Sequence, residues 1–190
     1  TQSMARKYGA IAREILLYAA AAGAIALALT SPYAASALLE IFQQQGRFRK
    51  KEEQRKFFQS LNNLKRSRLV ILKGRGEGTF LVELTERGKR KVEEMEFENL
   101  QIPKPEKWDG LWRIVLFDIP RKKNKARDAL RQKLQLLGFY QLQESAWAFP
   151  YPCTKEIEFI VEFFSVYQYV HIVQGEVKKD AELRKHFHLL

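Results

Sequence analysis

The sequence predicts an α+β protein built from two units, and three observations carry that reading. Over residues 5–98 the apolar pattern gives three helices, a two-stranded hairpin and a fourth helix. That is the element order of a winged helix-turn-helix. Over residues 111–176 it gives strand, helix, strand, strand, helix, strand, the order of a ferredoxin-like βαββαβ domain. Between them, residues 99–110 lose their periodicity and carry Pro103 and Pro105, so they read as a linker, and residues 177–190 follow as a tail.

Composition supports folded units. Of 190 residues, 46% are hydrophobic and 12% aromatic, enough to fill a core, and the 29% charged fraction argues against extended disorder. Thr1-Gln2-Ser3 ahead of Met4 reads as an appended leader outside the fold. A single cysteine, Cys153, excludes an intramolecular disulfide and a structural cysteine-ligated zinc site. The three histidines, His171, His186 and His188, leave little room for a zinc hydrolase. No secretory signal is apparent, so the expected compartment is the cytoplasm.

The first element lies within Ile15–Leu29, an apolar, alanine-rich run of fifteen residues. A bilayer span needs roughly 20 such residues. Alanine adds little drive for insertion, and cations flank both ends of the run. It reads first as a long buried helix whose small residues permit close packing, and second as a membrane contact. Ser31-Pro32 punctuates the chain and starts a second helix to about Gln44, which Gly46 ends. Lys51–Lys65 fits a third helix, because Phe57, Leu61 and Leu64 recur at i, i+4 and i+7. Arg68–Leu72 and Thr79–Leu84 read as strands around a turn at Lys73–Gly78, and a charged helix runs on to about Phe97.

In the second half, Leu111–Ile119 is a hydrophobic strand closed by Pro120. Lys123–Leu137 is an amphipathic helix stopped by Gly138. Phe139–Gln143 and Ala146–Phe149 are short strands. Thr154 is expected to cap a helix reaching about Tyr167, and Tyr169–Val173 is the last strand. The tail from Lys179 reads as a short docked helix or a strand-like arm.

Charge is segregated along the chain. The net charge is +11, which points to a polyanionic partner, nucleic acid before an anionic membrane. Gln43–Arg75 holds eleven cations against Glu52 and Glu53, and Arg121–Lys133 holds seven against Asp128. On the third helix Arg55, Gln59, Asn62 and Arg66 project opposite the apolar stripe. Cations suit phosphates, whereas Asn, Gln and Arg suit base edges in a major groove. An ordinary solvated face would be rich in Lys and Glu, and no acid occurs between residues 54 and 66. The candidate DNA contacts are therefore Lys51, Arg55, Lys56, Gln59, Asn62 and Arg66. Lys73 and Arg75 at the wing, and Arg121, Lys122 and Lys123 in the second cluster, complete the set.

Catalytic signals are sparse. Asp118, after the apolar run of the first ferredoxin-like strand, is placed to hold a divalent ion, but one carboxylate is not a site. Two copies in a symmetric dimer would supply a pair able to hold Mg²⁺ for phosphodiester hydrolysis. The plainer alternative is a carboxylate held by Arg121 or Arg127. Cys153 near a helix start reads as a packed residue, and no nucleophile constellation is visible.

Trp108-Asp109-Gly110-Leu111-Trp112-Arg113 followed by Phe117-Asp118-Ile119-Pro120 resembles the signature of the PaaX-like transcriptional repressors. Leu137-Gly138-Phe139, Ser145-x-Trp147-x-x-Pro150 and Asp180-x-Glu182-Leu183 continue the similarity, which covers about residues 85–190. The central domain of that family is in turn similar to the small CRISPR-associated endonuclease that is the scaffold subunit of the spacer-integration complex. The resemblance implies a winged-helix DNA-binding domain followed by a ferredoxin-like dimerisation domain. It also makes Asp118 the position of a metal-binding, catalytic carboxylate that acts as a pair across a dimer. The expectation is a homodimeric, sequence-specific double-stranded-DNA-binding regulator that needs no cofactor to bind. The alternative is a Mg²⁺-dependent nuclease using paired Asp118.

Overall fold

Residues 9–23, 25–28, 51–76 and 79–189 are described by the computed structural model. The chain divides into two units, Thr1–Glu98 and Asn99–Leu190. The helix placed over about Pro32–Gln44 lies outside the described residues.

In the first unit, α1 (Ala10–Ala21) buries Ala12, Ile15, Leu16 and Ala19, a stripe at i, i+3, i+4 and i+7. The helix does not continue through the apolar run. Gly23 takes a left-handed conformation (φ 71°) that ends it. Ile25–Ala28 then forms a strand, β1, paired antiparallel with β3 (Thr79–Leu84) from Ile25 opposite Val82 to Ala28 opposite Thr79. Ile15–Leu29 is thus not one long helix, and the expectation of a long buried first helix is corrected. No helix among the described residues is long and apolar enough to cross a membrane.

The second helix described, α2 (Lys51–Arg66), buries Leu61 and Leu64, with Phe57 packed beside them. Its end is closed by Arg68, whose φ is 55°. The Leu69 N–H donates to Leu64 O at 3.0 Å and the Arg68 N–H to Lys65 O at 2.9 Å. This closure delays the next strand, so β2 starts at Val70 and extends to Gly76, later at both ends than the sequence suggests. β2 and β3 form the hairpin, and the sheet order is β1-β3-β2.

Thr85 joins α2, the sheet and α3 (Glu86–Asn99). Its hydroxyl donates to Arg68 O at 2.7 Å and accepts the Gly88 N–H at 3.0 Å, which caps the helix, while its own N–H donates to Leu69 O. This brings Gly88 hard against the backbone. A Cβ there would stand 2.0 Å from Leu69 O, so only glycine fits. Val92 and Met95 complete the core under the sheet.

The second unit runs β4 (Trp112–Phe117), a 3₁₀ turn (Arg121–Lys123), α4 (Asn124–Leu136), β5 (Tyr140–Gln143), β6 (Ala146–Phe149) and α5 (Thr154–Phe163). A second 3₁₀ turn (Tyr167–Tyr169), β7 (Val170–Gly175) and α6 (Ala181–Phe187) complete it. The strands are antiparallel in the order β5-β6-β4-β7. With helices after the first and third strands, that is the ferredoxin-like arrangement. α4 buries Leu130 and Leu134, and α5 buries Ile157, Ile160 and Val161. Ser165 at φ 53° closes α5 through Val166 N–H to Val161 O, four residues before the sequence suggests. Thr154 is the first helical residue rather than the cap, which falls on Cys153. The tail forms a helix, α6.

We expect Gly88→Ala to lower unfolding free energy by about 3 kcal/mol, since the obstructing atom is a backbone oxygen that cannot swing away. Gly74→Ala, where a Cβ meets nothing within 4 Å, should change it by under about 1 kcal/mol. Denaturant titrations of the two variants check the difference.

Candidate nucleic-acid interface

The α2 stripe follows from its helical period. Arg55, Lys56, Gln59, Asn62 and Arg66 are all exposed, while Leu61 and Leu64 are buried on the other side. Lys51 stands at the start of this helix. The result is a row of cations and amides without an intervening acid, built on a helix anchored by its opposite side. In the hairpin, the Lys73 ammonium pairs with the Glu83 carboxylate across β2 and β3 at 2.5 Å, so its charge is partly balanced. Arg75 lies near the end of β2.

The second cluster divides. Arg121 and Lys122 are exposed in the 3₁₀ turn. The Lys123 ammonium turns inward: it donates to Ser165 O at 2.6 Å and lies 5.6 Å from the centre of the Tyr169 ring. Its role is to hold the turn against the end of α5. Tyr167, 62% exposed in the next 3₁₀ turn, reads in the sequence as the end of α5 and carries no local signal of a contact site.

Asp118 lies one residue past β4 and is exposed. Its N–H donates to Tyr169 O at 3.0 Å. The residue borders an open cleft of about 450 Å³ shared with Gln143, Ser145, Gln168, Tyr169 and His171. It also borders a smaller one, about 130 Å³, with Arg127, Arg131 and Glu144. Neither Arg121 nor Arg127 holds it: the Arg127 guanidinium is 3.9 Å from Asp128, and Arg131 reaches Glu144 at 3.5 Å. Among the described residues no three His, Cys, Asp or Glu side chains converge on a metal position. Mg²⁺ prefers an octahedral oxygen shell, and Asp118 of one chain does not provide a site that fits it.

The tryptophan-rich signature has a structural use. Arg113 is 3% exposed, and its guanidinium is bound by both Asp109 oxygens and by the Leu111 and Pro150 carbonyls. The Arg113 hydrogen bonds, with the Leu111 N–H, hold the Asp109 carboxyl down at about 2. The Trp112 indole N–H donates to Asp180 at 3.0 Å, and Arg184 donates to the same oxygen at 2.8 Å. These bonds, the indole first, hold the Asp180 carboxyl below its usual range. The Arg184 guanidinium also lies 4.8 Å from the Trp108 ring centre. Leu183 packs with Trp112 and Ala148. Burial pushes the Cys153 thiol up to about 12, so it is no nucleophile at neutral pH.

Residues 105–186 match the family described as the PaaX protein central Cas2-like domain. The second unit belongs to that family. No curated protein matches the chain. In this PaaX-type domain the signature residues Asp109, Trp112, Arg113 and Asp180 are therefore architectural, while Asp118, Arg121 and Lys122 remain solvent-facing.

Asp109 carries a pH dependence whose direction is fixed. Its folded pKa of about 2 lies below the ordinary carboxylate value near 3.9. The pair's stabilisation is therefore complete above about pH 4 and disappears as pH falls toward 2. Asp109→Asn should destabilise the second unit at neutral pH by about 1–3 kcal/mol, the cost of depriving a buried charged donor of its partner. The variant should also flatten the acid limb of a melting-temperature profile between pH 5 and 2.

Proposed function

We propose that the chain is a homodimeric double-stranded-DNA-binding regulator of the PaaX type. The observation that carries the reading is the exposed row Arg55, Gln59, Asn62 and Arg66 on a helix fixed by Leu61 and Leu64. Side chains of this kind read base edges and hold phosphates from a recognition helix in the major groove. Helices combined with the β1-β3-β2 sheet support a winged-helix reading of the first unit, in which the β2–β3 hairpin is the wing that meets the DNA backbone. Membership of the second unit in the PaaX central-domain family supports a regulator over an unrelated nucleic-acid-binding protein.

The dimer reading rests on the sheet of the second unit. Pairing places Ile114 opposite Val173 and Leu116 opposite His171, so these four residues share one face. α6 covers the Trp112 end of that face through Leu183, and Leu116 and Val173 remain 37% and 48% exposed. A second copy laid on this apolar strip would bury it.

A nuclease built on paired Asp118 needs the same dimer to bring two carboxylates to one ion, and among the described residues no three His, Cys, Asp or Glu side chains converge on a metal position to help hold it. DNA binding without cleavage is the reading we prefer.

Arg55→Ala and Asn62→Ala should each weaken binding to a selected operator duplex by about 1–3 kcal/mol. Arg55→Ala should also weaken binding to random duplex, whereas Asn62→Ala should not, as measured by fluorescence anisotropy. Unchanged operator affinity in both variants would refute the groove assignment. Leu116→Asp combined with Val173→Asp should shift the protein from dimer to monomer in sedimentation velocity. A dimer that survives both changes must use another face.

A further inference from the structure

Lys123 joins two turns that sequence keeps far apart. Its ammonium, bound to Ser165 O and set near the Tyr169 ring, brings the Arg121–Lys123 turn to the Tyr167–Tyr169 turn. The Asp118 N–H to Tyr169 O bond ties the same place to the end of β4. One end of the sheet thus gathers Arg121 and Lys122, both exposed, with Tyr167 and Gln168, also exposed. Gln168 borders both the cleft of about 450 Å³ beside Asp118 and a groove of about 380 Å³ lined by Thr154, Glu158, Tyr167 and His171. Asp118 and Glu158 are the acids that border these hollows; the two cations sit on the turn ahead of α4.

We propose that Arg121, Lys122, Tyr167 and Gln168 form a second DNA-contact site, which holds duplex phosphates. The inference rests on the DNA-binding reading and assigns the PaaX-type domain its own share of the contact. A guanidinium, an ammonium, a phenol and an amide offer donors from four side chains, and phosphate oxygens are acceptors only. Arg, Lys, Gln and Tyr are all frequent phosphate or sugar contacts, and such contacts position a protein without reading sequence. The site therefore adds affinity and salt dependence to every duplex alike, while α2 supplies discrimination.

The test uses the full chain, a labelled random-sequence duplex and a series of KCl concentrations. The double variant Arg121→Ala/Lys122→Ala should reduce the slope of log affinity against log salt by about 1.8, at about 0.9 per phosphate lost. Lys178→Ala/Lys179→Ala removes the same charge from exposed positions in the stretch before α6 and should change the slope far less. Tyr167→Phe, which deletes only the hydroxyl, should weaken binding several-fold with the slope kept. Arg121→Lys/Lys122→Arg should bind like the parent, which separates lost charge from a disturbed turn. The proposal falls if the Arg121/Lys122 double variant keeps the parental slope, or loses no more than the Lys178/Lys179 control. If that happens while Arg55→Ala still flattens the slope, only this second site is wrong. If the parent protein does not bind duplex DNA even at low salt, the DNA-binding reading fails and this site with it.

Discussion

A buried guanidinium organises the second unit. Arg113 sits near the start of the strand that lies second from one edge of the sheet, with β6 and β7 on its two sides. A cation in that position is tolerable only if its charge is paired, because an unpaired buried charge costs several kcal/mol. Here the two terminal nitrogens are met, while the buried Nε has no partner among the described residues. The partners come from three places: Asp109 before the strand, Leu111 at its entry and Pro150 beyond the end of β6. One side chain thereby fixes how the chain enters β4 and where β6 leaves. Gly110, at φ 80°, makes the tight turn that lets Asp109 fold back onto it. Cys153 lies close enough for Arg113 to act on its thiol, yet burial dominates and keeps that thiol protonated.

The same strand holds the C-terminal helix. Trp112 is fully buried among Trp108, Ala148, Leu183 and Phe187, and its one polar atom must find an acceptor. Asp180 supplies it at the cap position of α6, and Arg184, one turn on, neutralises the carboxylate. A short helix of seven residues has little stability of its own. Its place is set by this contact, and that placement decides how much of the sheet face stays open around Leu116 and Val173.

Most of the architecture was legible because it is periodic. Helix and strand spacings located Thr79–Leu84 and Ala146–Phe149 to the residue, and the βαββαβ order followed. What stayed hidden depends on conformations that composition does not advertise. Arg68 and Ser165 close helices in the left-handed region, usually left to glycine or asparagine, so the strand after α2 starts late and α5 stops early. Ile25–Ala28 reads as more of the same apolar helix, because a continuous apolar run does not by itself separate helix from strand. Gly23 was the available signal. On α2, the exposed row from Arg55 to Arg66 follows directly from 3.6-residue periodicity. The engagement of Lys73 by Glu83 rests on strand register, and that of Lys123 by Ser165 rests on a contact forty-two residues away. Neither leaves a trace in local sequence.

These differences separate two kinds of residue. The segments that resemble a family most closely, Trp108–Arg113 and Asp180–Leu183, are spent on buried polar contacts. Such contacts tolerate few substitutions, because each leaves a donor or acceptor stranded in the core. A phosphate contact asks only for positive charge within reach, and many arrangements of Lys and Arg satisfy it. The strongest sequence signal in this chain therefore marks architecture. The proposed DNA binding rests instead on cations that the fold leaves exposed: Arg55 and Arg66 on α2, and Arg121 and Lys122 at the end of the sheet.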